Sequence, residues 1–173
     1  MTDDRTDLRD LRVLAHPLRL RLLSLLGGEA FSAAEAARAL DDTQANVSYH
    51  LRRLHEAGLV TVVEEVAIRG GRAKRYRHDP ASGEGLPSGD AGVPALMSAM
   101  AAELVRRAAL YEPDAVVAFT DAEFWIDAEA SRAAEELIRA AGVLLADAAR
   151  PAGSPGTQRV SATLAYFGME SQR

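Results

Sequence analysis

The chain has 173 residues, of which 48% are hydrophobic. That length and apolar content suffice for a packed core, in one domain with an extension or in two small domains, and they exclude wholesale disorder. Lys and Arg number 20 against 25 Asp and Glu, so the formal net charge is −5. A uniformly basic coat for nucleic acid is therefore excluded, and any DNA-binding face must be local.

Cysteine is absent from the chain, which excludes disulfides, thiolate catalysis and thiolate metal sites and fits a reducing compartment. The first residues, Met1–Arg5, lack the basic and apolar regions of a secretory signal. No apolar run approaches the roughly 20 residues that are needed to span a bilayer. We therefore expect a cytoplasmic protein with no membrane partner.

Residues 7–15 have the apolar spacing of a helix, which His16 and Pro17 interrupt. Proline suits the first turn of a new helix, because its missing N–H would have no intrahelical partner there. Leucines then recur at helical spacing up to Leu26, and the pair Gly27–Gly28 predicts a left-handed end. We expect two helices joined by a tight corner, with His16 capping the second helix.

The next segment has the pattern of two helices joined by a turn. Ser32 and Glu35 have the spacing of a capping box, which predicts the start of a short helix. The turn is predicted at Asp41–Asp42, because aspartate tolerates turn conformations. Thr43 can then cap a second helix over 43–57. Short helix, tight turn and longer helix are the outline of a helix-turn-helix.

A β-wing is predicted directly after that helix. Residues 59–66 are rich in β-branched side chains, which favours a strand. Arg69–Arg72 contains two adjacent glycines, which predicts a hairpin tip, and residues 73–78 return as a second strand. The wing, residues 67–78, carries five cations. An ordinary solvated hairpin also carries such charges, so it is their place directly after a capped helix that favours DNA.

The helix predicted over 43–57 is expected to be the recognition helix. With about 3.6 residues per turn, Val47, Leu51 and Leu54 share one face and predict a buried stripe. The opposite face is predicted to enter the major groove of double-stranded DNA, where Gln44 suits an adenine edge and Arg52 suits a guanine or a phosphate. The candidate DNA-binding residues, from this helix and the wing, are Thr43, Gln44, Ala45, Ser48, Tyr49, Arg52, Arg53, Arg69, Arg72, Lys74 and Arg75.

Three segments make the sequence similar to ArsR-type winged helix-turn-helix regulators: residues 15–23 (AHPLRLRLL), residues 46–60 (NVSYHLRRLHEAGLV) and the basic wing up to Tyr76. The resemblance covers about residues 7–79. It implies a homodimer on a palindromic operator, usually a repressor that a signal releases. Asp42 departs from the family pattern, which has an apolar turn residue there, and its charge can weaken packing or repel a phosphate.

Many regulators of that family sense metals through cysteines before the recognition helix, or through Asp and His pairs on the helix after the wing. Residues 32–37 contain no cysteine, and the helix predicted over 93–111 contains neither His nor Cys. Neither type of metal site can be assembled from these residues. We therefore expect no metal and no cofactor, and we expect His50 to be a packed structural histidine.

The rest of the chain is predicted to be a linker, a helix and a β-α-β unit. Glycine and proline are frequent in residues 80–92, which predicts the linker. The helix over 93–111 has an apolar stripe with Leu96, Met100 and Leu104. A strand, a long amphipathic helix and a closing strand are predicted at 115–126, 128–149 and 159–169. The predicted fold class is α+β, with a winged helix-turn-helix DNA-binding domain at 1–79, a linker at 80–92 and a C-terminal region at 93–173.

Two interpretations of residues 93–173 stay open, and they do not exclude each other. Apolar side chains on both faces of the closing strand favour a dimer interface. The other interpretation is a pocket between helix and sheet for an unknown small-molecule effector. The candidate walls of that pocket are Met97, Met100, Phe119, Phe124, Trp125 and Phe167.

The function indicated by these patterns is a sequence-specific DNA-binding transcriptional regulator. The alternative is a protein-interaction module, in which the helix-turn-helix only packs and the acidic C-terminal half binds a partner. No catalytic residues are expected, because the carboxylates of residues 121–127 have no histidine, lysine or cysteine near them in sequence. That segment is predicted to be a strand-end turn with a buried Trp125.

Overall fold

The structure is a computed structural model that describes residues 11–68, 71–79, 82, 92–115 and 117–170. In the part of the chain up to His78, the described residues form three α-helices and a three-stranded antiparallel sheet. A 3-10 turn at Leu11–Val13 precedes the first helix. The elements are α1 (Pro17–Leu26), β1 (Phe31–Ser32), α2 (Ala33–Leu40), α3 (Gln44–Glu56), β2 (Val60–Ile68), β3 (Gly71–His78), α4 (Gly92–Ala108) and α5 (Ala128–Ala148). The predicted fold class, an α+β winged helix-turn-helix followed by a C-terminal unit, is confirmed. The predicted linker lies outside the described residues, apart from Ser82 and Gly92.

The core lies between the helices and the sheet. The predicted stripe of α3 is confirmed, because Val47, Leu51 and Leu54 are all 0% exposed. Leu22 and Leu26 of α1 are equally buried and belong to the same cluster. Burying side chains of this size contributes about 1.5–3 kcal/mol each, so these leucines and valines fix how α3 sits on the domain.

The corner before α1 differs from the expected helix over 7–15. In its described part, the Leu14 and Ala15 amides donate to carbonyls three residues earlier, so the chain makes a tight 3-10 turn. Pro17 disfavours helical backbone at the residue before it, and His16 is extended and caps α1 as expected. The left-handed end predicted at Gly27–Gly28 is wrong, because Gly27 keeps a right-handed φ of −70° and its N–H donates to the Leu23 carbonyl.

The sheet has the strand order β1-β3-β2, with both pairings antiparallel. The predicted wing hairpin is confirmed: β2 pairs with β3 from Val60 opposite His78 to Ile68 opposite Gly71. β1 was not predicted, because two residues are too few to show strand alternation. It places Phe31 opposite Tyr76 and so joins the start of α2 to the wing.

α4 packs against α1 and against the 3-10 turn. Its predicted apolar stripe is wrong in part: Leu104 is exposed, whereas Ala99 and Glu103 are buried. The buried Glu103 carboxylate is paired with Nη2 of Arg106 at 2.8 Å, which compensates its charge. The helix also ends at Ala108, before the predicted Tyr111.

The C-terminal β-α-β unit is present only as its helix. α5 begins after Asp127, whose side chain accepts from the Ala130 amide, and it ends at Ala148, close to the prediction. The segments predicted as strands, 115–126 and 159–169, contain no strand in their described residues. Their β-branched and aromatic composition led to the strand prediction, but a strand also needs a hydrogen-bonded neighbour. Trp125 was expected to be buried and is instead 87% exposed.

None of the helices in the described ranges is long and apolar enough to cross a membrane.

Candidate nucleic-acid interface

Three local features predicted from the sequence fix the geometry of the helix-turn-helix: a capping box, a left-handed turn residue and a helix N-cap. The Ser32 hydroxyl accepts from the Glu35 amide at 3.3 Å, and the Glu35 carboxylate accepts from the Ser32 amide at 2.7 Å, which completes the capping box. Asp41 takes the left-handed conformation at φ 53° and turns the chain out of α2. Thr43 Oγ1 then accepts from the Asn46 amide at 3.2 Å and starts α3. These devices set the direction in which α3 projects.

The face of α3 opposite its buried stripe is open to solvent. Gln44, Ala45 and Arg52 are exposed, as are the capping residue Thr43 and the ring of Tyr49. The predicted outward surface of the recognition helix is therefore present, and no described segment covers it. Ser48 and Arg53 are half-buried at its two edges.

Asp42, the acidic turn residue before α3, is hydrogen-bonded within the turn. Its Oδ1 accepts from the Thr43 amide at 2.7 Å and from the Asn46 side chain at 3.0 Å. The hydrogen bond from Asn46, followed by that from Thr43, holds the pKa of Asp42 below its usual range. The carboxylate therefore stabilises the start of α3 instead of weakening its packing.

A histidine pair lies on the inner side of α3. His50 is 5% exposed, and its ring centroid is 4.4 Å from that of His16 and 5.0 Å from that of Tyr49. Burial lowers the pKa of His50 to about 4, and the neighbouring His16 and Arg19 also lower it. His50 is thus the packed structural histidine that was expected, and it supports the ring of Tyr49 from inside the domain.

The cations of the wing divide into free and engaged side chains. Lys74 is exposed, and Arg72 forms an exposed ion pair with Glu65 at 3.1 Å. Arg75 is engaged within the domain: its Nη2 donates to the Ala30 carbonyl at 2.6 Å, and its guanidinium lies 3.3 Å from Glu35 and 3.4 Å from Glu64. These contacts hold the side chain within the domain, and its predicted contact with DNA stays a prediction. Arg69 lies outside the described residues.

A cleft of about 510 Å³ separates α2 and the start of α3 from the wing. Its lining side chains include Gln44, Ser48 and Lys74, which were predicted to bind DNA, and also Arg38 of α2, which was not. Arg38 was missed because it precedes the turn, outside the recognition helix and the wing where cations were sought. Arg38 can be identified only from its position in the structure. It is an exposed arginine on the wall of a cleft that residues predicted to bind DNA also line.

Arg19 of α1 is a second cation that sequence reasoning missed. Its Nη2 donates to the Arg12 carbonyl at 3.0 Å, so the side chain is anchored at the corner before α1. Burial lowers the pKa of Arg19, and the nearby Arg53 cation lowers it further. Two like charges thus lie near each other beside α3, an arrangement that a nearby anion would stabilise.

The residues proposed for an effector pocket do not enclose one in the single chain. Phe119 and Trp125 are both 87% exposed, and Phe124 and Phe167 are also exposed. Met97 and Met100 are half-buried on α4. A different cleft, of about 720 Å³, lies between α5 and the base of the wing, and its lining includes Gly28, Arg77 and Val143.

The part of the chain that the structure describes contains no group of three or more His, Cys, Asp or Glu side chains placed to hold a metal ion.

Comparison with known families matches residues 14–63 to a family described as a helix-turn-helix domain. The match covers α1, α2, α3 and the start of β2, and it leaves out the basic half of the wing and all of the C-terminal half. No curated protein is matched. With the open face of α3, the match supports a helix-turn-helix DNA-binding regulator.

Proposed function

We propose that this protein is a sequence-specific transcriptional repressor of the ArsR type, which binds a palindromic operator in double-stranded DNA as a homodimer. The observation that carries the proposal is the geometry of α3, which rests on three fully buried side chains and presents its other face to solvent. A recognition helix needs both properties, because it must be rigidly anchored and still reach base edges.

Each exposed side chain of α3 has a role in this proposal. Gln44, at the end that enters the major groove first, pairs with an adenine edge, and Arg52 pairs with a guanine. Thr43, Ala45, Ser48 and Tyr49 make the adjacent contacts, and Arg53 binds a phosphate. Arg72 and Lys74 of the wing bind the backbone or the minor groove, and we extend this role to Arg69.

The homodimer is supported by the apolar surface of the C-terminal half. Leu137 and Leu144 lie seven residues apart on α5 and are 72% and 69% exposed. Phe119, Trp125 and Phe167 are also exposed in the same half. Monomeric proteins seldom leave large apolar patches in water, so we assign this surface to a second copy of the chain. A dimer with twofold symmetry matches a palindromic operator.

The C-terminal region is also where we place regulation. If the exposed aromatic side chains meet across the dimer, they can wall a pocket that one chain lacks, with Met97 and Met100 beside it. An unknown small molecule bound there would shift the two DNA-binding domains relative to each other. We propose no catalytic activity. The domain bounds stay as proposed from the sequence, with DNA binding at 1–79, a linker at 80–92 and dimerisation and sensing at 93–173.

Selection of bound fragments from a genomic duplex library tests the DNA-binding proposal. We expect enrichment of an inverted repeat, with its half-sites about one helical turn apart, because each protomer presents one α3 to the major groove. Enrichment of duplexes that share no half-site sequence would contradict base recognition by α3. No enrichment above background would favour the alternative, a protein-interaction module whose acidic half binds a partner.

A further inference from the structure

The cleft between α2 and the wing has a feature that base recognition by α3 leaves unexplained. Arg38 of α2 and Lys74 of β3 line this cleft from two different elements, next to Gln44 and Ser48 of α3. Both side chains are exposed, and among the described residues neither side chain takes part in a hydrogen bond or an ion pair. The two charges are thus available to a ligand at the edge of the proposed recognition surface.

The charge balance of the cleft favours an anion. Its lining contains four cationic side chains and one carboxylate, that of Glu35. This carboxylate already accepts from the Ser32 amide and lies 3.3 Å from Arg75. Hydrogen bonds from Ser32 lower the pKa of Glu35, so it stays ionised and paired. This single carboxylate interacts with both Arg75 and Arg38, so it offsets only one positive charge and the cleft lining keeps an excess of cations.

The position of the cleft relative to α3 identifies the anion. A helix in the major groove has a sugar-phosphate strand on each side of it, and the helix before the recognition helix crosses one of these strands. Gln44 and Ser48 place the cleft along the first turns of α3. A volume of about 510 Å³ leaves room for a phosphodiester segment between α2 and the wing.

We infer that this cleft receives the phosphodiester backbone of one DNA strand, with Arg38 and Lys74 as its two phosphate contacts. The inference rests on the proposed function, and it adds α2 to the DNA-binding surface. Because a phosphate contact carries no base identity, Arg38 sets the affinity and the position of the domain on the duplex, and it leaves the sequence preference unchanged.

The first test compares the full-length wild-type chain with Arg38→Ala on the selected operator and on unrelated duplexes over a range of salt concentrations. In the proposed homodimer the substitution removes one phosphate contact from each protomer, so the slope of log K against log salt should decrease in magnitude by about 1.8, which corresponds to about 25- to 100-fold weaker binding at roughly 0.1 M salt. We expect the same factor on all sequences. Arg132→Ala removes an equally exposed arginine from α5 and is the matched control, with no change expected.

The second test removes the charge from the DNA. Methylphosphonate replaces one phosphate at a time along both strands of the operator. In each half-site, we expect one or two replacements beside α3 to weaken binding by the wild-type protein and to have no further effect on binding by Arg38→Ala. Arg38→Lys, which keeps the charge, should retain most of the salt slope, and Arg38→Gln should behave like Arg38→Ala.

The outcomes separate this inference from the proposed function. If the wild-type protein prefers no duplex, the proposed function fails. If it prefers an operator but Arg38→Ala and Arg38→Gln keep its affinity, salt slope and methylphosphonate pattern, only the cleft assignment is overturned. A changed base preference in Arg38→Ala would also overturn it, because the side chain would then contact a base. Unchanged thermal unfolding of the variants shows that any loss comes from the missing contact.

Discussion

The imidazole rings of His16 and His50 lie with their centroids 4.4 Å apart, at the corner where α1 starts beside α3. Nδ1 of His16 accepts a hydrogen bond from the Leu18 amide at 3.1 Å, so the ring carries no proton on that atom. His50 is buried, and its Nδ1 has no partner among the described residues. Arg19, close to both rings, adds a positive charge to the corner. The pair is therefore stable as two neutral rings.

The first prediction follows for acid stability. Burial lowers the pKa of His50 from 6.5 to about 4, although the Asp42 carboxylate partly opposes the shift. The unfolded chain thus takes up a proton before the folded chain does, and the free energy of unfolding falls as pH decreases from 6.5 to about 4. We expect this loss to be about 1–3 kcal/mol. Urea denaturation at several pH values measures it.

His50→Gln is the comparison for that prediction, because it removes the titrating ring while the carboxylates that also titrate in acid remain. The free energy of unfolding of the wild type minus that of the variant should decrease by the stated amount over the same pH window. Below that window the difference should become constant. Burial also lowers the pKa of His16. The free energy of unfolding of His50→Gln should therefore still fall as pH decreases, with a smaller slope than that of the wild type. Parallel pH profiles for the two proteins would show that His50 does not contribute.

Arg75→Ala should affect stability more than DNA contacts. Its guanidinium joins the Ala30 carbonyl, Glu35 and Glu64, and so connects α2 to both strands of the wing. Removing a charged hydrogen-bonding group from a half-buried site costs about 1.5–3 kcal/mol. Lys74→Ala, on the same strand and exposed, should leave the midpoint of thermal unfolding unchanged. Equal unfolding midpoints for the two variants would show that the contacts of Arg75 do not stabilise the domain.

Arg52→Ala and Arg53→Ala should have different effects on DNA binding: the first should change the sequence preference, and the second should weaken binding to all sequences. Arg52 is exposed on the outward face of α3, so its loss should cost about 1–3 kcal/mol for each half-site and relax the preference at one base pair in each half-site. Arg53 lies half-buried at the edge near Arg19, and its loss should weaken binding to all sequences by a similar factor. Binding to operators with single-base changes distinguishes the two. Uniform weakening by Arg52→Ala would make Arg52 a phosphate contact.

Leu137→Asp combined with Leu144→Asp should give a monomer. The two leucines share one face of α5 and are exposed in the single chain, so charging them should prevent association while the helix-turn-helix stays folded. Arg132→Asp places the same acid on the other side of the helix and should remain dimeric. Sedimentation velocity gives the mass, and operator binding should weaken in parallel. A wild-type protein that sediments as a monomer would reject the homodimer.

Most of the DNA-binding half could be predicted because its signals are local. The spacing of Ser32 and Glu35, and the hydroxyl of Thr43 before an apolar period, depend on hydrogen bonds within one helical turn. The buried and open faces of α3 follow from its period. Arg75 and Arg38 could not be assigned in this way. Their roles depend on β1 and β3 bringing the wing next to α2, and therefore on residues far apart in the chain.

The amino-acid pattern by itself determined where α2 and α3 start and stop, which face of α3 is buried and that a basic hairpin follows α3. Capping, periodicity and turn chemistry act over a few residues, so these features need no distant partner. Only the tertiary structure decided which wing arginine is used inside the domain, which cation of α2 lines the cleft, and that residues 117–126 and 159–169 form no strand in one chain. Ion pairs and strand pairing need partners from distant segments, and a linear pattern does not specify those partners.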